Sequence, residues 1–315
     1  MSIQRIAILG AGGLGAAYGS RFLDSPDFET WFIARGERGD RLRRDGLIVN
    51  GERIAAPVVR PEGDEEQTAV LPTADLIIVA LKHQHLAGAV GDLRPFVGPQ
   101  TTIMSVMNGL DSEYTLGSEY GMEKVLYAMA LGIDAVREGN RIDYSAGGKI
   151  FFGDARNDSL SERVILVRDA LKKAGIPYEI PANMERAMWR KFMINVGINQ
   201  ASALLRAPYG TFQTDSQAQE IMESLMREAI AVANAEGIDL NESDLQGWYD
   251  FLNTLSPAGK TSMLQDVEAG RKTEVEIFGG KVVDLGEKHA IDTPVNRTVV
   301  NAILVQERYS ANSGQ

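Results

Sequence analysis

A glycine-rich segment that directly follows a short apolar run constrains the fold of this 315-residue chain more than any other feature. The run Arg5–Leu9 predicts a buried strand of a parallel sheet, because it is mostly apolar and stops at a glycine. Gly10–Gly15 follows with the spacing GxGxxG, and Ala16–Leu23 continues as a predicted helix. A strand before this spacing and a helix after it are typical of a dinucleotide-binding turn.

The residues of this turn have separate predicted roles. Gly10 permits the tight turn, Gly12 lets a pyrophosphate approach the backbone, and Gly15 lets the helix pack closely on the strand. The N-terminus of the helix faces the phosphates. We therefore predict that six consecutive residues bind the dinucleotide: Gly10, Ala11, Gly12, Gly13, Leu14 and Gly15. A tight strand–helix turn without a ligand is the alternative.

Arg35 stands at the end of the second predicted strand, Thr30–Ala34, and follows Gly15 by twenty residues. NAD-binding folds usually carry an acid near this place for the ribose 2′-hydroxyl, whereas a guanidinium suits a 2′-phosphate. The sequence thus favours NADPH over NADH, with Arg38 as an assisting cation. A solvated arginine in a charged loop is the alternative. Three further arginines are predicted to form an exposed helix face and not a ligand site: Arg41, Arg43 and Arg44.

Two more predicted strands end in polar residues. Asp75–Leu81 ends at Lys82, and Thr101–Met107 ends at Asn108. Because ligands of open α/β sheets bind beyond the carboxyl ends of the strands, both polar residues are candidate ligand contacts. For each of them, a plain loop role is the alternative.

The rest of the first half predicts further strands and one helix. Asn50-Gly51 predicts the turn of a hairpin between Leu47–Asn50 and Arg53–Val59. The other predicted elements are the strand Val125–Ala130, antiparallel edge strands within Arg141–Phe152, the helix Ser159–Ala174 and the short strand Tyr178–Ile180.

After residue 182 the strand signal disappears. Helical patterns cover the ranges 184–206, 216–236, 242–254, 275–290 and 295–309, and the polar range 260–266 reads as a connecting loop. We therefore predict an α/β Rossmann-type domain at residues 1–182, which binds NADP, followed by an all-α domain at residues 183–315, which holds the substrate and the catalytic group.

The first helix of the second half carries a polar stripe. Lys191, Asn195 and Asn199 are spaced four residues apart, so they lie on one narrow face of a helix. Apolar residues flank this face on both sides: Met188, Phe192, Ile194, Val196 and Ile198. Burying a polar group without a partner costs about 1–3 kcal/mol. The stripe is therefore predicted to line a cleft that holds something polar, with plain solvent exposure as the alternative.

Composition narrows the classes of function. The chain has no cysteine and three histidines, and His83 and His85 lack a third ligand nearby, so no metal site is predicted. A formal net charge of −11 argues against nucleic acid and anionic membranes as general partners. There is no apolar run of about 18 residues that would predict a transmembrane helix. Because the first strand begins close to the start, no leader peptide is predicted, and we expect a cytoplasmic protein.

These features together resemble the ketopantoate reductase family, the 2-dehydropantoate 2-reductases, over nearly the whole chain. The matching signatures are GAGGLG at Gly10–Gly15, Arg35, Leu81-Lys82, Asn108-Gly109, WRKxxxNxxxN at Trp189–Asn199, SMLQD at Ser262–Asp266 and Thr273-Glu274. The resemblance implies a Rossmann domain and a helical domain, with the site in the cleft. It also implies NADPH-dependent reduction of the 2-keto group of ketopantoate to pantoate, a step toward pantothenate and coenzyme A.

The resemblance assigns roles by position. Lys191 resembles the family's catalytic lysine, which gives a proton to the carbonyl oxygen. Asn195 and Asn199 match substrate-contacting amides, and Ser262 matches a serine that binds the substrate carboxylate. The implied cofactor contacts are Arg35, Lys82, Asn108, Ala135 and Glu274, and Asn108 is also implied to touch the substrate. This role suits a lysine whose pKa is lowered by apolar neighbours.

One position departs from the family pattern. Well-described members have an asparagine in a Pro-Asn-Gly turn after the helix, whereas this chain has Tyr209 between Pro208 and Gly210. The phenol is predicted to contact the substrate, by narrowing the pocket or by replacing the lost hydrogen bond. Packing outside the site is the third option.

The departure keeps other functions open. The first is the reduction of a different or larger 2-keto acid on the same scaffold. The second is a non-catalytic NADPH-binding sensor, although a sensor has no need of a proton donor such as Lys191. The expected partner is a small 2-keto acid, and a homodimer is kept as a candidate assembly.

Overall fold

The computed structural model describes residues 2–62, 73–133 and 135–313. The chain divides into two units, Met1–Met184 and Glu185–Gln315. The domain boundary expected from the sequence, between residues 182 and 183, lies two residues before this division. Within the described ranges, no helix is long and apolar enough to cross a membrane.

The first unit alternates strands and helices. Its strands are β1 (Arg5–Leu9), β2 (Glu29–Ile33), β3 (Leu47–Val49), β4 (Glu52–Ile54), β5 (Val58–Val59), β6 (Ala74–Val79), β7 (Val97–Ser105), β8 (Val125–Ile133), β9 (Val136–Glu138), β10 (Arg141–Asp143), β11 (Gly147–Gly153) and β12 (Tyr178–Glu179). Its α-helices are α1 (Gly13–Leu23), α2 (Gly36–Asp45), α3 (His83–Ala89), α4 (Ser112–Tyr120) and α5 (Glu162–Lys173), and 3₁₀ turns occupy Val90–Phe96 and Met122–Lys124.

The main sheet has the strand order β12-β11-β8-β7-β6-β1-β2-β5. Neighbouring strands are parallel except β8 and β11, which are antiparallel. Alternate residues of β1 enter two different cores, with Ile6 and Ile8 on one face and Ala7 and Leu9 on the other. Because both faces are covered, the four residues after Arg5 are all apolar and do not alternate with polar residues. The predicted Rossmann-type α/β class is confirmed.

The register of the parallel strands aligns their carboxyl ends. Leu9 is paired with Ile33 on one side and with Val79 on the other, and Val79 is paired with Ser105. The segments that leave this common edge carry four predicted site residues: Gly10, Arg35, Lys82 and Asn108. The sheet therefore gathers at one edge residues that lie about a hundred positions apart in the chain.

A second, smaller sheet has the order β4-β3-β10-β9. Its hairpin turns at Asn50 and Gly51, whose φ angles of 50° and 86° suit the predicted two-residue turn. The predicted second strand, Arg53–Val59, was wrong in its length. Strand β4 ends at Ile54, and Val58–Val59 joins the main sheet beside β2, with the carbonyl of Pro57 accepting from the backbone N–H of Phe32 at 2.7 Å.

The range Arg141–Phe152 was expected to supply antiparallel edge strands of one sheet. Strand β11 does pair antiparallel with β8, but β12 lies outside it, so β11 is not the edge. Strand β10 belongs to the second sheet, where it pairs with β3 and β9. The turn between β10 and β11 thus moves the chain from one sheet to the other.

The second unit is helical. Its helices are α6 (Met184–Leu205, which begins at the last residue of the first unit), α7 (Tyr209–Thr214), α8 (Ser216–Ala235), α9 (Glu242–Leu252), α10 (Ser262–Glu268), α11 (Gly279–His289) and α12 (Pro294–Ser313), with a 3₁₀ turn at Val275–Ile277. Two expectations were wrong here. The predicted helix 275–290 is interrupted at Phe278, whose ψ of −89° is not helical, and the predicted loop 260–266 contains the start of α10.

Candidate active site

The glycine turn between β1 and α1 is tightly packed, and two of its glycines are required by that packing. Gly10 has a φ of +108°, and a Cβ on it would lie 2.5 Å from the carbonyl oxygen of Ala80. A Cβ on Gly15 would lie 1.8 Å from the carbonyl oxygen of Gly10. By contrast, a Cβ on Gly12 would meet only one described atom within 4 Å, that same Ala80 oxygen at 3.9 Å. The turn is thus crowded where the chain packs on itself and open at the residue before α1.

Ala135 lies against the start of helix α1. A Cβ on Gly13, the first residue of the helix, would lie 3.1 Å from the Cβ of Ala135 and 3.2 Å from its carbonyl oxygen. The segment after β8 therefore borders the glycine turn, and the cofactor contact expected of Ala135 stays a prediction.

A cavity of about 900 Å³ opens beside this turn. Its wall includes Gly10 and Ala11 of the turn and Arg35 at the N-cap of α2. The guanidinium of Arg35 is already engaged, because one terminal nitrogen donates to the carbonyl oxygen of Gly88 at 2.6 Å and the other lies 3.2 Å from an oxygen of Asp92. Arg35 therefore lines the expected cofactor site, but part of its charge is balanced by an acid that the sequence had not indicated.

The other two predicted residues of the sheet edge have different environments. Lys82 is exposed at the N-cap of α3, and Asn108 is half-buried after β7. Neither is among the described residues that line the cavity. The structure thus brings the two side chains to the same sheet edge as the cavity without making them part of its wall.

The polar stripe of α6 is half-buried at Lys191 and Asn195, and Asn199 is 5% exposed. Gly197 lies two residues from both asparagines, about 200° round the helix from each. On that opposite face α6 packs against α8, where a Cβ on Gly197 would lie 2.5 Å from a side-chain carbon of Met226. The stripe therefore faces away from α8, and full solvent exposure, the alternative for these residues, does not hold.

Ser202 fixes two loops to the C-terminal part of α6. Ser202 is 1% exposed, and its hydroxyl donates to the carbonyl oxygen of Ala207 at 2.7 Å and accepts from the hydroxyl of Thr261 at 3.2 Å. Ala207 precedes the turn that holds Tyr209, and Thr261 caps α10, which begins with the exposed Ser262. One buried hydroxyl thus holds two predicted substrate-contacting segments near the helix that carries Asn199.

Tyr209 packs on the loop that leads to Ser262. Its backbone N–H donates to the carbonyl oxygen of Gly259 at 2.9 Å, and a Cβ on Gly259 would lie 3.0 Å from the tyrosine ring. The side chain is half-buried, and burial raises the pKa of its hydroxyl above the ordinary value. The ring therefore has a fixed place between the turn after α6 and the segment before α10.

Glu274 is half-buried at the N-cap of the 3₁₀ turn before α11. The preceding Thr273 donates its hydroxyl to Glu307 at 2.6 Å, which holds the segment on α12. After the turn, the ring of Phe278 lies 6.4 Å from that of Phe192 on α6. The segment that carries Glu274 is thus held on α12 at Thr273 and packs on α6 at Phe278.

Sequence reasoning missed a buried acid in the helix that follows β7. Glu113, in the first turn of α4, is 1% exposed and accepts from the hydroxyl of Ser112 at 3.0 Å. Burial raises the pKa of this carboxyl to about 7, and hydrogen bonds from its own backbone, from the hydroxyl of Ser112 and from the backbone of Ala128 oppose the shift. An acid in the first turn of a helix is common on surfaces, so the sequence carried no signal of its burial.

Known proteins match both units. The model of the family described as ketopantoate reductase PanE/ApbA matches residues 6–157, and that of its C-terminal part matches residues 183–307. The 2-dehydropantoate 2-reductase of Halobacterium salinarum is 29% identical over 308 residues, which cover 97% of this chain and 99% of that protein.

Solved structures share the fold. A ternary structure of D-mandelate dehydrogenase with NADH and anilino(oxo)acetate has a TM-score of 0.86 at 20% identity, over 98% of this chain and 99% of that one. A dimeric ketopantoate reductase from Staphylococcus aureus has a TM-score of 0.80 at 20% identity, over 97% of this chain and 99% of that one. Because the two family models together cover most of both units, the chain belongs to the ketopantoate reductase family of oxidoreductases.

Proposed function

We propose that this protein reduces the 2-keto group of 2-dehydropantoate with NADPH and so forms pantoate, a step toward pantothenate and coenzyme A. The observation that carries the proposal is the stripe of Lys191, Asn195 and Asn199 on α6, within the range that matches the C-terminal family model. A lysine and two amides among buried apolar residues suit a site for a small polar molecule.

The glycine turn fits a nicotinamide dinucleotide. It leaves Gly12 open at the N-terminus of α1, where backbone N–H groups and the helix dipole favour the pyrophosphate. When bound, the cofactor supplies a hydride. We propose that the turn Gly10–Gly15 holds it, with contacts from five further residues: Arg35, Lys82, Asn108, Ala135 and Glu274.

The predicted substrate-contacting residues divide the remaining work. The ammonium group of Lys191 stabilises the negative charge that develops on the carbonyl oxygen and then gives that oxygen a proton. Asn195 and Asn199 orient the substrate without adding charge, and the hydroxyl of Ser262 holds the carboxylate. Asn108 contributes a further amide contact to the substrate.

A larger 2-keto acid is the second candidate substrate, and the observation that favours it is Tyr209. The packing of this ring on Gly259 puts an aromatic surface where the family pattern has a small amide. The D-mandelate dehydrogenase that shares the fold was solved with anilino(oxo)acetate, in which an aromatic anilino group is attached to the 2-oxo carbon of an oxoacetate. An aromatic ring on the substrate can stack on a tyrosine, which would favour such a compound here.

Initial rates of NADPH oxidation test the function directly. The assay compares 2-dehydropantoate with 2-ketoisovalerate and phenylglyoxylate at equal concentrations, and repeats each with NADH. We expect the highest kcat/KM for 2-dehydropantoate with NADPH. A higher value for phenylglyoxylate would support the second candidate, and tight NADPH binding without turnover of any keto acid would support a sensor.

Two further expectations accompany the proposal. A homodimer is supported by the solved relative from Staphylococcus aureus, which is dimeric, and the molar mass in solution tests it. A cytoplasmic location stays a prediction from the sequence.

A further inference from the structure

Three arginines that come from two distant parts of the chain line the same cavity as the glycine turn. Arg38 and Arg41 lie on successive turns of α2, and Arg137 lies on β9. Arg41 is exposed, as the sequence predicts, but it also lines the cavity, so we revise its exclusion from ligand binding. The second sheet brings them together, because β9 pairs with β10 and β10 pairs with β3, which directly follows α2. The cavity thus has a strongly cationic wall in a chain whose formal net charge is −11.

The acids on this wall leave most of that charge unbalanced. Asp92 is engaged by Arg35 at 3.2 Å, and Asp45 by Arg44 at 2.8 Å. Asp45 also attracts Arg41 at longer range, since Arg41 helps to hold the pKa of this carboxyl below its usual range after the larger effect of Arg44. Within the described ranges, neither Arg38 nor Arg41 forms an ion pair within 4 Å.

The three guanidinium groups repel one another. The Nε of Arg137 donates to the carbonyl oxygen of Gly139 at 2.7 Å, which holds the side chain beside the cavity. Partial burial, followed by the positive charges of Arg38 and Arg41, lowers the pKa of Arg137 from its usual value. Like charges that are held close together raise the free energy of the protein without a ligand. An anion that binds between them offsets this repulsion, so its binding is favoured.

We propose that Arg41 and Arg137, together with Arg38, form the subsite that binds the 2′-phosphate of NADPH, and that Arg35 mainly positions the adjoining loop. The inference rests on the proposed use of a nicotinamide dinucleotide. The pyrophosphate is held by the glycine turn and the N-terminus of α1, so it does not account for a second cationic group. A phosphate monoester is a dianion whose oxygens match the fork of guanidinium donors. Arg38 lies in the first turn of helix α2, which follows β2, and the ribose is expected at the end of that strand.

Arg35 differs from these three residues in its environment. Its two terminal nitrogens hold the carbonyl oxygen of Gly88, on α3, and the carboxylate of Asp92. It thereby ties the end of β2 to the segment after β6. The carboxylate of Asp92 balances part of the charge of Arg35. Arg35 therefore attracts a phosphate less strongly than an arginine that forms no ion pair.

Calorimetric titration of the full-length protein with 2′,5′-ADP and with 5′-ADP tests the subsite without any substrate. The variants are Arg41→Gln, Arg137→Gln, the double variant and Arg35→Gln. Arg43→Gln is the matched control, because Arg43 is on α2 but donates to the carbonyl oxygen of Val58 and does not line the cavity. Inorganic phosphate alone is titrated as a further ligand, to separate binding of a free anion from binding of the nucleotide.

We expect the wild type to bind 2′,5′-ADP about a hundredfold more tightly than 5′-ADP, as two contacts between charged groups commonly allow. Arg41→Gln and Arg137→Gln should each weaken 2′,5′-ADP about tenfold and leave 5′-ADP within about twofold. The double variant should lose the preference, and Arg35→Gln should have a smaller effect than either single change. The control should match the wild type, and inorganic phosphate should bind much more weakly than 2′,5′-ADP.

An unchanged preference in the double variant would overturn the subsite, as would a preference lost entirely through Arg35→Gln. Inorganic phosphate that binds as tightly as 2′,5′-ADP would also overturn it, because the cluster would then be a general anion site. A wild type that binds neither nucleotide would refute the proposed function as well. If the nucleotides bind as expected but no keto acid is reduced, the proposed function fails and the subsite stands.

Discussion

At the scale of single residues, Lys191 is the group on which the proposed chemistry depends. It lies on the face of α6 away from α8, in line with two amides and next to the buried ring of Phe192. Reduction of a ketone needs a proton at the oxygen as well as a hydride at the carbon, and the two asparagines cannot release a proton at neutral pH.

Lys191→Ala should lower turnover by about two to four orders of magnitude, the usual range for loss of a general acid. The Kd for NADPH should change little, since the proposed phosphate contacts are in the first unit. Arg190→Ala is the control, because the neighbouring Arg190 faces Asp244 at 3.6 Å. Stopped-flow turnover and NADPH titration of both variants check this, and a Lys191 variant that keeps most of its turnover would show that the stripe is structural.

Tyr209 should decide the size of the keto acid that is accepted. If its ring narrows the site, Tyr209→Asn should raise kcat/KM for 2-dehydropantoate and lower that for phenylglyoxylate. If its hydroxyl bonds the substrate, Tyr209→Phe should cost about 0.5–1.5 kcal/mol of transition-state binding. The measurement is kcat/KM for both acids in the three proteins. Equal values in all of them would place this ring outside the substrate site.

The residues that the sequence indicated are those whose signal is local. The tight turn at Gly10 and Gly15 could be predicted because their spacing lies between a strand and a helix, and the shared helix of Lys191 and Asn195 because their spacing is helical. The proximity of Arg137 to Arg41 could not be predicted, because it depends on pairing between strands that are far apart in the chain. The ion pair between Arg35 and Asp92 could not be predicted either, because the two residues are far apart in the chain.

At the scale of elements, the junction of β1 and α1 has no room for an added side chain at Gly15. A methyl group on Gly15 would lie 1.8 Å from the oxygen of Gly10, so the helix or the turn would have to move. Overpacking of this kind typically costs about 1–3 kcal/mol.

Gly15→Ala should therefore lower the free energy of unfolding by about that amount and weaken the binding of 5′-ADP. Gly91→Ala is the control, because a Cβ there would meet no described atom within 4 Å. Denaturant unfolding and calorimetric titration give the two quantities. Unaltered stability and binding in the Gly15 variant would contradict the packing seen at this junction.

Helix α4 contains a group whose charge should make stability depend on pH. Glu113 has a pKa raised to about 7 by burial, from an ordinary value of 4.5. Between these values the folded protein keeps a proton that the unfolded chain releases, so the free energy of unfolding falls as the pH rises through this window.

Glu113→Gln cannot ionise, so its stability relative to the wild type should rise between pH 5 and pH 8 by about 1–3 kcal/mol. Urea unfolding at the two pH values measures the difference. Glu162→Gln, in the first turn of α5 but exposed, should show no such trend. If the stability difference between Glu113→Gln and the wild type is the same at pH 5 and at pH 8, Glu113 is ionised in the folded protein throughout this range.

Elements could be predicted where their own residues specify them. Asn50-Gly51 specified a hairpin because both residues accept a positive φ. Helix α10 was mistaken for a loop because it is short and polar, although Thr261 supplies its N-cap by accepting from Leu264. The pairing of Val58–Val59 with β2 depends on distant residues and had no local signal.

At the scale of the whole molecule, the change from a mixed to a helical pattern near residue 182 predicted the two kinds of structure in the right order. Apolar strands that are covered on both faces account for the first, and long helices with buried faces account for the second. The sequence could not predict which strands belong to which sheet, because that depends on contacts between distant segments.

The most direct test of the proposed function is the product formed per NADPH oxidised when the wild-type protein receives equal concentrations of 2-dehydropantoate and phenylglyoxylate. Chromatography and mass spectrometry quantify pantoate and mandelate, and absorbance at the nicotinamide band follows NADPH. We predict that pantoate accounts for nearly all of the NADPH oxidised, at one molecule for each. Oxidation of NADPH that yields mandelate as the main product, or no pantoate at all, would contradict the assignment of 2-dehydropantoate as the substrate.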